Sequence, residues 1–242
     1  MQIDCLKVRL YEIFTSIEGE GLLYGTKTLF VRLAGCPFKC FYCDTKDAIP
    51  MNSGQQYELD EAKKMIERSL EKNTYKVNFT GGDPLAQSEA VSELARFVQL
   101  KKIPSYLESS CYDSTRFAQV LPYLDFIKIE FKTPDSEFVD SKHYSKLLEN
   151  ELDCLRLSVE SKKVTYIKVV VSSKTELGPF KKLLKRIFQI TSKPSLAGFI
   201  IQPTYGIAEP SLEQLLSFYD EVHAYYEEVR IVPQIHKFIG AP

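Results

Sequence analysis

Stretches rich in β-branched and aromatic residues alternate along the chain with stretches whose apolar residues recur every three or four positions. The first kind predicts β-strands at residues 7–14, 28–34, 75–80, 105–110, 125–131, 166–172, 198–203 and 229–232. The second kind predicts helices at 59–72, 91–98, 114–124, 180–187 and 211–228. Strands separated by helices indicate parallel βαβ units, in which the helices cover the sheet from outside.

About six such units follow the first pair of strands, fewer than the eight of a closed barrel. We therefore predict an α/β fold built as an open, partial (β/α)6-type barrel, with a doubly wound sheet as the alternative. Since no linker divides the chain, residues 1–242 are predicted to form a single domain. The least patterned segment, 133–164, is interpreted as a possible insertion on the outside.

Ligands of parallel α/β folds gather where the strands end. Here the loops with unusual chemistry all follow predicted strands: a cysteine-rich loop, then "TGGDP", "ESS", "EFKTP" and "QPTYG". Their shared position predicts one site on one rim of the sheet.

Composition narrows the classes of protein. The 31 basic and 32 acidic residues nearly cancel, and 44% of residues are hydrophobic, which indicates a globular protein without the basic footprint of a nucleic-acid binder. No apolar run is long enough to cross a bilayer, and no secretory leader is visible, so we expect a cytoplasmic protein. In that reducing compartment, clustered cysteines favour metal or redox chemistry over disulfides.

Three of the six cysteines fall in "GCPFKCFYCDT", as Cys36, Cys40 and Cys43. A structural zinc needs four ligands, and the fourth would have to come from the scattered cysteines or histidines. Three thiolates instead suit a [4Fe-4S] cluster with one iron left open for a ligand. The cluster is the favoured interpretation, with zinc as the alternative.

The spacing Cys36-x3-Cys40-x2-Cys43, with Tyr42 before the last cysteine, resembles the signature of radical S-adenosylmethionine (SAM) enzymes. "TGGDP" resembles their "GGEP" element, with Asp83 in place of the usual glutamate. Within that superfamily, "FTSIEGEGLLYGTKTLFVRLAGC", "CDT" and the final "QIHKFIGAP" are similar to the 7-carboxy-7-deazaguanine synthase family, in the same order over most of the chain.

The resemblance implies a radical SAM lyase that converts 6-carboxy-5,6,7,8-tetrahydropterin to 7-carboxy-7-deazaguanine with loss of ammonia, on the route to queuosine or archaeosine. It implies a [4Fe-4S] cluster, SAM and Mg²⁺ as cofactors, a flavodoxin or ferredoxin as one-electron donor, and a homodimer without nucleic-acid or membrane partners. The alternatives are another radical SAM enzyme, such as a glycyl-radical activase, or a non-catalytic zinc or iron–sulfur binding module.

The same resemblance assigns roles to residues. The substrate would contact Ile17, Glu18, Gly19, Glu20, Arg32, Thr80, His236 and Pro242, with Glu20 and Arg32 as the catalytic candidates. SAM and its surroundings would involve Tyr42, Gly81, Gly82, Glu130, Phe131, Lys132, Gln202, Pro203, Thr204 and Tyr205. The metal ligands would be Cys36, Cys40 and Cys43 for the cluster and Thr45 for Mg²⁺. A guanidinium such as that of Arg32 can grip a substrate carboxylate through two parallel hydrogen bonds.

Overall fold

The computed structural model describes residues 6–136, 141–191 and 195–241, and within these ranges it forms one nine-stranded sheet. The strands are β1 Lys7–Ile17, β2 Lys27–Leu33, β3 Gln55–Glu58, β4 Lys76–Gly81, β5 Ser105–Ser109, β6 Phe126–Phe131, β7 Val164–Val171, β8 Gly198–Pro203 and β9 Val229–Ile231. The helices are α1 Leu59–Ser69, α2 Ser88–Leu100, α3 Ser114–Val120, α4 Ser141–Glu160, α5 Leu177–Ile190, α6 Leu212–His223 and α7 Ile235–Ile239. Short 3-10 helices lie at Lys46–Ala48, Pro84–Gln87, Leu121–Tyr123 and Pro134–Ser136.

The order of the strands decides between the two predicted architectures. It is β3-β1-β2-β4-β5-β6-β7-β8-β9, with β1 antiparallel to both neighbours and every pair from β2 to β9 parallel. A doubly wound sheet reverses direction at a switch point, whereas here each crossover advances by one strand in the same direction. Right-handed crossovers of that kind put the helices on one face only, so the partial barrel is confirmed.

The two faces of the sheet carry different residues. On β4, Val77 and Phe79 point to the outer face and join the hydrophobic core beneath the helices, while Lys76 and Asn78 point to the inner, concave face. The same alternation runs through β5 to β8, as expected for side chains of period two. The helices contribute the apolar faces that the sequence predicts; on α5 these are Phe180, Leu183, Leu184 and Ile187, all buried.

Four elements differ from the prediction. Strand β3 was missed because "QQYE" is polar and mostly exposed at the edge of the sheet, where no apolar alternation is required. The segment 133–164 contributes α4, the crossover helix between β6 and β7, which packs on both strands. Helix α6 ends at His223, short of residue 228, and the five-residue α7 follows β9.

In the described part of the chain, no helix combines the length and the apolar character that crossing a membrane requires.

Candidate active site

A cavity of about 350 Å³ opens where the parallel strands end. The loops that follow β2, β4, β5, β6 and β8 meet there with the turn after β1 and with α7. The residues assigned from the sequence that line it are Ile17, Glu18, Gly19, Glu20, Arg32, Cys36, Cys40, Tyr42, Cys43, Thr45, Thr80, Gly81, Gly82, Glu130, Lys132, Gln202, Pro203, Thr204 and His236. The fold thus brings together residues spread over more than two hundred positions.

Two of the assigned residues lie elsewhere, and one is outside the described residues. Phe131 is fully buried in the core on the outer face, because it alternates with Glu130 and Lys132 along the chain. Its side chain therefore cannot contact a ligand in the cavity. Tyr205 is 48% exposed and packs edge-on against Phe238 outside the cavity. Pro242 lies outside the described residues.

The cysteine loop folds back on the short helix that follows it. The backbone N–H of Cys36 donates to the carbonyl of Ile49 at 3.0 Å, and that of Gly35 donates to Ala48 at 2.8 Å. All three thiols are half-buried and free of disulfides. Burial, with the nearby Asp83 carboxylate, raises the pKa of the Cys36 thiol to about 12. A thiolate at this position therefore needs the compensating charge of a bound metal centre.

The glycines of "TGGDP" let two loops approach each other. Gly81 has φ +118°, and a Cβ there would lie 2.3 Å from the Leu33 carbonyl oxygen. A Cβ on Gly82 would lie 2.3 Å from the carbonyl oxygen of Gly35, directly before Cys36. The turn after β4 is therefore in backbone contact with the cysteine loop, and only glycine permits that distance.

The hydrogen bonds of Asp83 show why an aspartate fits at this position, where a glutamate was expected. Its carboxylate is 2% exposed and accepts hydrogen bonds from Leu85 N–H at 3.0 Å, Ser109 Oγ at 2.8 Å, and both Ser110 N–H at 2.9 Å and Ser110 Oγ at 2.5 Å. Burial raises its pKa, although these four donors oppose the shift. The short side chain thus ties the turn after β4 to the loop after β5.

The turn after β1 is locked against the C-terminal segment. A Cβ on Gly19 would lie 2.3 Å from His236 Nδ1, and the Gly19 carbonyl accepts the Ile235 N–H at 2.8 Å. Beside them, Gln234 Nε2 donates to Glu20 Oε1 at 2.6 Å and to Asp44 Oδ2 at 2.9 Å. The turn after β1 and the segment around Gln234 therefore meet at the cysteine loop.

Arg32 stands on the inner face of β2 at the mouth of the cavity. Its Nη1 pairs with Glu12 Oε1 at 2.5 Å, and its guanidinium lies 4.9 Å from the centre of the Phe14 ring. These partners fix the plane of the guanidinium, and its remaining N–H groups are available for an anionic ligand.

Glu130 anchors the cation network on the inner face. Its carboxylate accepts a hydrogen bond from Lys128 at 2.9 Å, and it forms ion pairs with Lys168 at 3.0 Å and with Lys132. Although burial acts in the opposite direction, these three ammonium groups hold the pKa of Glu130 well below its usual range. Lys168 also donates to Glu20 Oε2 at 2.7 Å, so one ammonium joins the turn after β1 to the end of β6.

A second network lies deeper in the barrel. Lys76 Nζ donates to Glu18 Oε2 at 2.7 Å and to Thr28 Oγ1 at 2.6 Å. Asn78 Nδ2 donates to Glu18 at 3.1 Å and to Glu108 at 2.9 Å, which places the two carboxylates on one amide. Burial and the charge of Glu108 raise the pKa of Glu18 to about 7, even though Lys76 acts against that shift.

Sequence reasoning missed six polar residues of these networks. They are Lys76, Asn78, Glu108, Lys128, Lys168 and Gln234. The first five share a signal: each is a polar residue at an alternate position of an otherwise apolar strand. In a partial barrel that position faces the interior.

The chain is similar to known proteins over nearly its whole length. Residues 17–151 match the family model described as a 4Fe-4S single cluster domain. The 7-carboxy-7-deazaguanine synthase of Methanocaldococcus jannaschii is 30% identical, over 95% of this chain and 98% of that protein. The enzyme of the same name from Archaeoglobus fulgidus is 27% identical, over 97% and 99%. The chain belongs to the 7-carboxy-7-deazaguanine synthase family.

The fold agrees with that membership. The crystal structure of QueE from Escherichia coli superimposes with a TM-score of 0.66 at 18% identity, covering 95% of each chain. Asp83 stands where the resemblance to the "GGEP" element predicts a glutamate, and the serines after β5 donate hydrogen bonds to its carboxylate.

The arrangement of the thiols bears on the zinc alternative. Ligands held at ~2.3 Å by a single zinc ion lie within about 4 Å of one another. Among the described residues, the group whose potential ligand atoms lie within 4.8 Å of each other is Glu20, Asp44 and His236, not the three cysteines. Of the cysteines that could have supplied a fourth sulfur, Cys111 and Cys154 are buried in the hydrophobic core, and Cys5 lies outside the described residues. The three free thiols at the cavity therefore suit a cluster better than a structural zinc, which takes four protein ligands.

Proposed function

We propose that this chain is a 7-carboxy-7-deazaguanine synthase that converts 6-carboxy-5,6,7,8-tetrahydropterin to 7-carboxy-7-deazaguanine with release of ammonia. The main support is that one cavity is lined by the three free cysteines, the glycine turn and Arg32. In addition, the relative from Methanocaldococcus jannaschii matches this chain over nearly its whole length. That full-length match counts against a glycyl-radical activase and against a non-catalytic binding module.

The cofactor half of the cavity has the chemistry that the proposal needs. Cys36, Cys40 and Cys43 would hold the cluster, which together with SAM supplies the one-electron chemistry that activates a carbon–hydrogen bond. Gln202 Oε1 is buried on the cavity wall and has no hydrogen-bond partner among the described residues. Because an unpartnered buried acceptor is costly, it fits a ligand that brings a donor, such as the adenine amino group or a ribose hydroxyl.

The substrate half is lined by the turn after β1, by Arg32 and by Thr80. Arg32 would bind the substrate carboxylate with the N–H groups that Glu12 leaves available. The Glu18 and Glu20 carboxylates would accept from the N–H groups of the pterin ring, and Lys76 and Lys168 hold these two side chains in place. Ordered positions of this kind reduce the entropy lost on reaching the reacting geometry.

The proposal includes Mg²⁺ on the substrate side. Thr45 lies beside Asp44, with the Thr45 hydroxyl donating to Asp44 Oδ1 at 3.1 Å. The Asp44 and Glu20 carboxylates approach His236 closely enough for a shared ion. Although burial acts in the opposite direction, His236 and Lys237 lower the pKa of Asp44, which favours the ionised form that a hard cation prefers.

Further parts of the proposal concern the setting of the enzyme. The three thiols are free, which accords with a cytoplasmic location where they stay reduced. The cluster requires a one-electron donor, proposed to be a flavodoxin or ferredoxin, and the enzyme is proposed to act as a homodimer.

The test is an anaerobic assay on the reconstituted protein with SAM, dithionite, Mg²⁺ and 6-carboxytetrahydropterin, followed by mass spectrometry. The expected result is 7-carboxy-7-deazaguanine, with about four irons per chain. Cleavage of SAM without this product would leave a radical SAM enzyme with another substrate. Tightly bound zinc without iron would contradict the proposal altogether.

A further inference from the structure

Helix α4 grips the peptide groups of Lys132 at the point where strand β6 ends. The ladder between β6 and β7 stops at Phe131, so Lys132 is the first residue beyond it. The N–H of Lys132 donates to Glu151 Oε1 at 3.1 Å, and its carbonyl accepts from the Tyr144 hydroxyl at 3.0 Å. Since buried backbone groups need partners, these two side chains of α4 hold the peptide segment in place.

The Glu151 carboxyl is a buried titratable group that the proposed reaction does not use. It is fully buried, and its second oxygen, Oε2, has no hydrogen-bond partner among the described residues. Burial raises the pKa of Glu151 well above its usual range, although the N–H and the ammonium group of Lys132 oppose the shift. A neutral carboxyl still offers the Lys132 N–H a carbonyl acceptor, and it places no negative charge behind the lysine.

The Lys132 side chain leads from this grip to the cysteine loop. Its Nζ lies 3.5 Å from the Tyr42 hydroxyl and 5.3 Å from the centre of the Tyr42 ring. Tyr42 directly precedes Cys43, and its hydroxyl also lies 3.2 Å from Ser136 Oγ, in the segment that follows β6. Lys132 lines the same cavity as the three cysteines of the loop. The position of the Lys132 backbone therefore sets where an ammonium group stands beside them.

Lys132 also pairs with Glu130, so the orientation of this ion pair decides which charge faces the cysteine loop. Burial raises the pKa of the Tyr42 phenol, and the Lys132 ammonium opposes that shift more strongly than the Glu130 carboxylate adds to it. The cationic end of the pair therefore lies nearer Tyr42. A cation beside an iron–sulfur cluster stabilises the more negative, reduced state and so raises the reduction potential.

We propose that Glu151, together with Tyr144, is a positioning residue that fixes the Lys132 ammonium beside the cysteine loop and thereby makes the cluster easier to reduce. The inference rests on the proposed function, since it needs the three cysteines of the loop to hold a redox-active cluster. In the reduction itself, one electron passes from an external reductant such as dithionite to the cluster, and no bond forms or breaks at Glu151 or Lys132.

The test is a redox titration of the reconstituted protein without SAM or substrate, followed by electron paramagnetic resonance of the reduced cluster. Glu151→Leu removes the acceptor and should lower the equilibrium constant for one-electron reduction about tenfold, which corresponds to a potential about 59 mV more negative. Glu151→Gln keeps a neutral carbonyl acceptor, so its equilibrium constant should stay within about twofold of wild type. Tyr144→Phe removes the other half of the grip and should shift the potential in the same direction as Glu151→Leu, by a smaller amount.

Two further variants separate positioning from a general loss of structure. Leu155→Ala opens a cavity in the hydrophobic core one turn of α4 away from Glu151, and it should lower thermal stability without moving the potential. Lys132→Met removes the charge itself and should also make the potential more negative. Adding Glu151→Leu to Lys132→Met should give no further shift, because Glu151 acts on the cluster through Lys132.

An unchanged potential in Glu151→Leu would overturn the inference, and so would an equal shift in Glu151→Gln or in Leu155→Ala. If Glu151→Leu does not fold, Tyr144→Phe decides, and an unchanged potential there has the same meaning. Failure of the proposed function has a different signature. A substrate other than the pterin would leave all of these potentials as they are, whereas zinc in place of iron in wild type would remove the cluster and overturn both.

Discussion

Two buried carboxylates share one amide, yet their pKa values move in opposite directions. Glu18 and Glu108 both accept from Asn78 Nδ2. Burial and Glu108 raise the pKa of Glu18 to about 7. Against the effect of burial, the ammonium groups of Lys128 and Lys168 lower the pKa of Glu108 to about 2. Replacing each carboxylate by its neutral isostere should therefore change stability with different dependences on pH.

The expected effect of Glu18→Gln follows from the pH at which the Glu18 carboxyl loses its proton in the folded and in the unfolded protein. The folded protein keeps a proton on Glu18 up to about pH 7, whereas the unfolded chain releases it near the ordinary value of 4.5. Between these values the folded state binds more protons, so a rise in pH disfavours folding. At ~1.4 kcal/mol per pKa unit, wild type should lose about 2.5 kcal/mol of unfolding free energy between pH 5 and 8 through this group. The variant cannot titrate and should not show this loss.

The assay is urea unfolding followed by far-ultraviolet circular dichroism at several pH values from 5 to 8. The stability of Glu18→Gln relative to wild type should rise across this range. Glu108→Gln is the matched control: Glu108 is ionised in both states above about pH 6, so its replacement should destabilise by about 3 kcal/mol with little dependence on pH. A constant difference between Glu18→Gln and wild type from pH 5 to 8 would show that Glu18 is an ionised partner of Lys76 throughout, and would refute the reasoning.

Three more changes test other parts of the site and the core. Arg32→Ala should raise the KM for the pterin at least tenfold and leave the visible absorbance of the cluster unchanged; loss of the absorbance would make Arg32 structural instead. Lys168→Met leaves Glu20 and Glu130 without their common partner, so thermal unfolding should show a loss of about 3 kcal/mol and the product formed per SAM cleaved should fall; an unchanged ratio would argue against a positioning role. Leu184→Ala opens a cavity in the core under α5 and should cost about 3 kcal/mol in urea unfolding without changing KM, and a changed KM would mean that the core reaches the site.

The rim of the site could be predicted from the sequence, for a physical reason. Loops after parallel strands must meet at one edge of the sheet, so the cysteine loop, the glycine turn and the loop at Gln202 were expected to converge. The prediction needed only the order of strands and helices. It did not need side-chain directions.

The inner wall was harder to predict because it depends on closure of the barrel. Lys128 and Lys168 stand in apolar strands, where a polar residue would ordinarily indicate a face open to water. Only the curvature of the sheet makes these ammonium groups buried and paired. Phe131 is the opposite case: it was predicted at the cavity but lies in the core. Neighbouring residues of a strand point to opposite faces, so Phe131 faces away from the cavity that Glu130 lines.

Asp83 illustrates how a departure from a family pattern can be absorbed locally. Its carboxylate sits where both Ser109 and Ser110 reach it with hydroxyl or amide donors, within 2.5 to 2.9 Å. A glutamate carries one more methylene, so its carboxylate could not occupy this position with the backbone of the turn unchanged. The glycine turn itself packs on the backbone of Gly35, beside Cys36. The aspartate thus joins the loop after β5 to the cysteine loop through the turn between them, and the turn need not supply a side chain to a ligand to hold the site together.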